Sequence, residues 1–174
     1  MRVYVRLVVT NIIMHPISKK EVEELRFYLD HAKLDRKSHE VWSAKLLKNV
    51  YVFLIDRSTP LLVSIEGTII PFIEKAKLFE DVLSVVHIDD GAIARIENGA
   101  DVMAPGVTRI NEKSSGPVIV ESQSDKVVAI GVFFPDWKEN MSSKKGKVVQ
   151  NLHNRQDRIY KIIDREMPER RTGS

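Results

Sequence analysis

Apolar and polar side chains alternate over residues 3–9, with Arg6 set among valines, and this predicts a first strand; Ile12 and Ile13 begin a second, short one. Ser18-Lys19-Lys20-Glu21 has the make-up of a capping box, in which a hydroxyl takes the amide three residues on and that residue's carboxylate reaches back. Val22, Leu25, Leu29 and Ala32 then recur on one face, which predicts an amphipathic helix over about residues 19–32. Residues 39–45 read as a short strand and residues 50–55, β-branched and aromatic, as a stronger one. A turn through Asp56-Arg57-Ser58-Thr59-Pro60 folds the chain back along residues 61–65 as a hairpin. After Glu66-Gly67-Thr68 come Ile69 and Ile70, and Pro71 opens a helical segment to about Ala76.

Beyond Leu83 the pattern changes. Residues 85–88 read as a strand, Asp89 or Asp90 caps a short helix from Gly91 to Glu97, and Asn98-Gly99 stops it, the glycine supplying a left-handed cap. Asp101, Val102 and Met103 form a short strand ended by the Pro105-Gly106 turn. Residues 118–120 and 127–134 read as a hairpin, and residues 147–149 and 158–163 complete the strands. Short strands at this spacing with one early helix predict a small closed barrel. The expected fold class is α+β: an N-terminal α+β domain over residues 1–84, a mostly β C-terminal domain with one or two short helices over residues 85–167, and a disordered tail over residues 168–174, which has no apolar side chain beyond a proline ring.

Composition narrows the function. The 174 residues include no cysteine, which excludes disulfides, thiolate catalysis and cysteine-ligated clusters and points to a reducing, cytoplasmic setting. The first residues do not form a signal peptide, and no apolar run reaches the ~18 residues of a membrane span. The formal net charge of +3 is unevenly spread: from Lys144 to Arg171 nine basic residues stand against four acidic ones, +5 for that segment and −2 for the rest. A basic end on a near-neutral body suggests a polyanionic partner, although a solvated tail would have the same composition.

The stretch from Ile88 to Val107, with Asp89-Asp90-Gly91, Asn98-Gly99-Ala100-Asp101 and Ala104-Pro105-Gly106, resembles the signature of the PUA domain. Lys144-Lys145-Gly146-Lys147-Val148-Val149 and Asp157-Arg158-Ile159-Tyr160 resemble the closing strands of archaeal PUA proteins, and Ser18 to Leu25 with the later hairpin resembles the pre-PUA domain that precedes them. Together they resemble the malignant T-cell-amplified sequence family and its archaeal relatives. Two stretches depart from that pattern: Ile110 to Pro117 is shorter than usual and lacks an expected Asp, and Pro135-Asp136-Trp137-Lys138-Glu139-Asn140 replaces a run of Ser and Glu. The resemblance implies a PUA pseudo-barrel and a role on tRNA, rRNA or the small ribosomal subunit, with a translation-factor partner in eukaryotic relatives.

PUA domains grip RNA with this helix, the loop after it and the last strand. The resemblance therefore nominates Arg95, Asn98 and Arg109, with Gly91 and Gly99 framing the helix and Arg158 in the closing segment. Physically, Gly91 lets a backbone approach the outward-facing amides of a helix start, where a phosphate is favoured; the alternative is that both glycines only shape the fold. Lys144, Lys145 and Lys147 flank Gly146 in a loop where three ammonium groups suit two or three phosphates, unless it is an ordinary solvated turn. Trp42 and Trp137 are base-stacking candidates, though core packing is the commoner fate of tryptophan. His153 reads as a packed or capping residue, and only His31 and His39 approach metal-ligand spacing. No hydrolase elbow, P-loop or Rossmann fingerprint occurs, and Asp89 and Asp90, being adjacent, do not share a face. The expectation is an RNA-binding protein without metal, cofactor or catalytic activity. The alternatives are an adaptor whose N-terminal half docks a partner and an accessory subunit of an RNA-modifying enzyme.

Overall fold

The computed structural model describes residues 12–34 and 38–167; the strand expected over residues 3–9 and the tail beyond residue 167 lie outside them. The described chain opens with β1 (Met14–Pro16) and α1 (Lys19–His31), followed by β2 (Val41–Leu47), β3 (Val50–Ile55), β4 (Thr59–Ile65) and β5 (Thr68–Pro71). These strands form one antiparallel sheet in sequence order. The capping box of α1 is complete: Glu21 N donates to Ser18 Oγ at 3.2 Å and Ser18 N to Glu21 Oε2 at 2.8 Å. Leu25, Tyr28 and Leu29 form its buried face.

A 3-10 turn, Ile73–Phe79, leads into a second sheet. Its elements are β6 (Ser84–Ile88), α2 (Asp90–Glu97), β7 (Val102–Met103), a 3-10 turn at Ala104–Gly106, β8 (Val107–Asn111), β9 (Pro117–Ser122), β10 (Val127–Phe133), α3 (Trp137–Ser143), β11 (Lys147–Asn154) and α4 (Arg158–Glu166). The strand order is β7-β11-β10-β9-β6-β8, with β6 and β9 parallel and the other pairs antiparallel. The two edge strands are joined only by Ala104, Pro105 and Gly106. Six flat strands would put the edges roughly 24 Å apart, whereas the four steps from Met103 to Val107 reach at most about 14 Å, so the sheet has to curl on itself.

Two cores result. The smaller, inside the curled sheet, gathers Val86, Ile88, Ile96, Val118, Val120, Val128 and Val148. The larger lies under the first sheet and crosses to the second: Leu25, Leu29, Leu54, Leu62 and Phe79 pack with Ile119, Val127 and Ile130, and with Ile159, Ile163 and Met167 from the end of the described chain.

Local signals hold where local chemistry decides. Asp89 caps α2 by accepting from Ala92 N at 2.9 Å, and Gly99 takes a left-handed φ of +97°. The expected strand over residues 158–163 is wrong: those residues form α4. Ile159, Ile163 and Met167 lie four apart on one buried face, and Asp157 caps the helix by accepting from Tyr160 N at 2.6 Å. The β-branched run imitated a strand while the spacing was helical. Likewise the helical segment expected from Pro71 to Ala76 is the 3-10 turn at Ile73–Phe79, and the second strand falls on Met14–Pro16, leaving Ile13 exposed. The hydrophobic pattern marks neither β8 nor α3: β8 is a mostly exposed edge strand, and α3 offers the core only Trp137 and Met141.

Asp157 also accepts from Asn154 N at 3.0 Å and lies 2.6 Å from Nδ1 of the fully buried His153, whose Nε2 has no partner among the described residues. Burial raises the Asp157 carboxyl, but its bonds to His153 and the two amides outweigh that and hold it below the ordinary aspartate value. Asp157→Ala is expected to lose a helix cap and leave the imidazole wholly unpaired, lowering stability by about 2 kcal/mol in urea titration. An unchanged midpoint would show that His153 needs no partner.

Candidate functional site

The candidate site is built by three sets of hydrogen bonds. Asp89 N donates to Gly106 O at 2.9 Å, tying the start of α2 to the turn after β7. Ala104 N donates to Gly146 O at 2.9 Å, tying that turn to the lysine loop. Asn151, on β11, holds the other end of α2: its Nδ2 donates to Ile96 O at 2.7 Å and Ala100 O at 3.0 Å, while its backbone N donates to Asp101 Oδ1 at 3.0 Å. The result is a cavity of about 690 Å³ lined by Asp89, Gly91, Arg95, Asp101, Met103, Pro105, Gly106 and Lys147, among others.

Three of the nominated residues, Gly91, Arg95 and Lys147, thus meet in one cavity although up to 56 positions separate them in sequence. Lys144 and Lys145 stand exposed beside it, placed by α3, whose Asn140 accepts from Lys145 N at 3.0 Å and donates to Lys147 O at 2.9 Å. Asn98 and Gly99 sit at the far end of α2, where the Asn98 amide donates to Ala94 O at 2.9 Å. The positive charge is smaller than the sequence suggests. Lys147 Nζ is bound to Asp101 at 2.8 Å, and the first amides of α2 already face the Asp89 carboxylate. Among the described residues, no carboxylate pairs with Arg95, Lys144 or Lys145.

The matching stretch of sequence coincides with this architecture: residues 84–154, from the first residue of β6 to the last of β11, match the family model of the PUA domain. The chain carries a PUA domain. Its likeness to known proteins extends beyond that domain. An uncharacterized protein of Methanocaldococcus jannaschii is 28% identical over 152 residues, 83% of this chain and 93% of the relative. Translation machinery-associated protein 20 of Schizosaccharomyces pombe is 24% identical over 134 residues, 73% of this chain and 74% of its own. A crystal structure of a hypothetical protein from Pyrococcus horikoshii superposes with a TM-score of 0.71 at 29% identity, covering 86% of this chain and 99% of that one.

Two nominated residues lie away from the cavity of the PUA domain. Arg109, on β8, donates from its guanidinium to His87 Nε2 at 2.7 Å. Arg158 opens α4 beyond the far end of β11, roughly 23 Å along the strand from Lys147. Arg155 is likewise engaged elsewhere, with Glu74 at 2.7 Å, and holds that carboxyl below its ordinary value.

Arg109 belongs to a polar row crossing three strands. His87 lies opposite Arg109 on one side and Glu121 on the other, and Asp125 Oδ1 is 3.9 Å from His87 Nδ1. Oxygen and nitrogen atoms of His87, Glu121 and Asp125 lie within 4.8 Å of one another, which makes this a group with metal-ligand spacing that the histidine count had not shown. Two cations already occupy it: Lys77 on Glu121 at 2.6 Å and Arg109 on His87. Burial, reinforced by a hydrogen bond with Glu80 and opposed by Lys77, pushes the Glu121 carboxyl up to about 7. Of the tryptophans, Trp42 lies under the Arg57 guanidinium, 3.7 Å from its ring centre, while Trp137 stacks on Phe133.

Proposed function

We propose that the protein binds RNA through the cavity between α2, the Ala104–Gly106 turn and the start of β11, and that it acts on tRNA, rRNA or the ribosome in the cytoplasm as a binder rather than a catalyst, without a cofactor. The observation that carries this is the meeting of Gly91, Arg95 and Lys147 in one cavity of the PUA domain, with Lys144 and Lys145, which no described carboxylate pairs, exposed in the loop that leads to Lys147. The translation-machinery relative supports a role in translation. Phosphates are met at Lys144 and Lys145, and Arg95, in the last turn of α2, reaches the nucleotide held in the cavity.

Filter binding of tRNA and rRNA fragments at several salt concentrations tests this. Lys144→Ala with Lys145→Ala is expected to weaken all RNAs alike and to flatten the dependence of log affinity on log salt by roughly 1.5, the share of two phosphates. Lys147→Ala flattens it less, because Asp101 already neutralises that ammonium. Arg95→Ala changes which RNA is preferred. An unchanged affinity and slope in the double variant would overturn the assignment. A specific observation then favours the adaptor reading: Phe27 on α1 and Leu78 on the Ile73–Phe79 turn are large apolar side chains left exposed on the N-terminal half, where a translation-factor partner would dock.

A further inference from the structure

At the other end of α3 from the lysine loop, Phe133, Phe134 and Trp137 line a second cavity of about 530 Å³, in the size range of small-ligand clefts. Phe133 stacks on the Trp137 indole with ring centres 4.4 Å apart and planes 17° from parallel. Lys138, largely exposed and paired with Glu112 at 3.1 Å, also reaches over the indole, its Nζ 5.2 Å from the ring centre. The third ring, Phe134, lies under Lys147 Nζ at 5.5 Å. Lys147 therefore belongs to both places: it lines the cavity beside α2, and its ammonium overlies a ring of the aromatic one.

We infer that Trp137 and Phe134 form a stacking shelf for an unpaired base of the same RNA whose phosphates lie against the lysine loop. This rests on the RNA-binding reading above. An aromatic face next to a row of ammonium groups is the arrangement that holds single-stranded nucleic acid, rings taking bases while cations follow the backbone. The spacing along the chain fits, since α3 alone connects the shelf to Lys144 and Lys145. The rim adds a preference. Asp136 and Glu139 line the aromatic cavity, and the Asp136 side chain makes no capping bond to α3. Carboxylates repel phosphates but accept from base edges rich in donors. Guanine, with N1–H and N2–H donors side by side, suits them; uracil, which turns carbonyl oxygens outward, does not.

Trp42→Phe leaves Trp137 as the sole tryptophan, so its emission reports on the shelf directly. Titration of this protein with 5′-fluorescein-labelled hexamers, all-uridine and uridine with one central guanosine, is followed by anisotropy, and with the unlabelled hexamers by tryptophan emission. The expected result is saturable quenching of Trp137 and tighter binding of the guanosine-containing hexamer. Trp137→Ala weakens that hexamer by roughly tenfold, as for one lost stack, while leaving the salt slope unchanged. Trp137→Phe, which keeps a ring against Phe133, retains most of the affinity. A hexamer that saturates the protein without moving Trp137 emission, or equal affinity for the two hexamers, overturns the shelf while leaving the lysine-loop site standing. If no RNA binds and the lysine substitutions also change nothing, both readings fall together.

Discussion

Gly131→Ala is expected to lower the stability of the protein by about 3 kcal/mol or more, with a fall of roughly 6–12 °C in Tm and an earlier urea midpoint. The reason is backbone proximity. Gly131 lies in β10 at a shift of register against β11, and a Cβ there would stand 2.0 Å from the Gln150 carbonyl oxygen and 2.7 Å from Val149 Cγ1. A side chain can rotate out of such a contact, but a carbonyl inside a paired strand cannot, so β10 and β11 would have to part. β11 carries Lys147 into the cavity and Asn151 onto the end of α2. RNA affinity is therefore expected to fall together with stability, which separates this variant from Lys144→Ala, where affinity alone changes. Gly116→Ala is the control: the nearest atom to its Cβ would be Ser114 Oγ at 3.9 Å, ordinary contact distance. An unchanged midpoint for Gly131→Ala would mean that the two strands can separate locally at little cost.

Features that depend on a few neighbouring residues were legible from the chain. The capping box at Ser18 and Glu21, the Asp89 cap and the Gly99 stop involve partners within four positions, and each forms. Two of them, the Asp89 cap and the Gly99 stop, lie within the PUA-like signature from Ile88 to Val107. What escaped was long-range. Lys147 finds Asp101 at 46 positions' distance, Lys77 finds Glu121 at 44 and Arg155 finds Glu74 at 81. No pattern in the chain marks such pairs, so the +5 segment promised more free charge than the folded surface offers. Pairing also explains the fate of individual nominations. Arg95, on the exposed side of α2, reached the cavity because helical spacing alone decides its direction, whereas Arg109 depended on which strand would lie beside β8 and met His87. The error at Arg158 is of another kind: four isoleucine and tyrosine side chains in five positions satisfy a strand count, and only the four-residue interval from Ile159 to Ile163 and on to Met167 betrays the helix. Trp137 stacks on Phe133 only because α3 turns it there, and residues 137–143 carry no apolar periodicity that would mark that helix.

The polar row beneath β6 and β9 makes stability depend on pH in a window of its own. Glu121 is almost wholly buried, and its carboxyl, at about 7 in the folded protein, stands well above the 4.5 of an exposed glutamate. The fold therefore favours the protonated form. That contribution is complete below about pH 4.5, where folded and unfolded chains are both protonated, and it is lost as pH rises through about 7. The difference amounts to at most roughly 3 kcal/mol. Carboxyls held low work in the opposite sense and at more acid pH: Glu74, bound by Arg155, and Asp157, bound by His153 and two amides, contribute above their unfolded values and lose that contribution only on acidification. Between about pH 5 and pH 8 they are already ionised and constant, so a decline in stability over that interval belongs to Glu121 when it vanishes in Glu121→Gln. The amide is neutral at every pH and keeps an oxygen for the Lys77 ammonium, which bonds Glu121 at 2.6 Å. Urea denaturation at half-unit steps is expected to show parent and variant nearly equal at pH 5 and the variant more stable at pH 8. Parallel curves for the two proteins would mean that Lys77, rather than burial, governs this carboxyl and holds it ionised throughout.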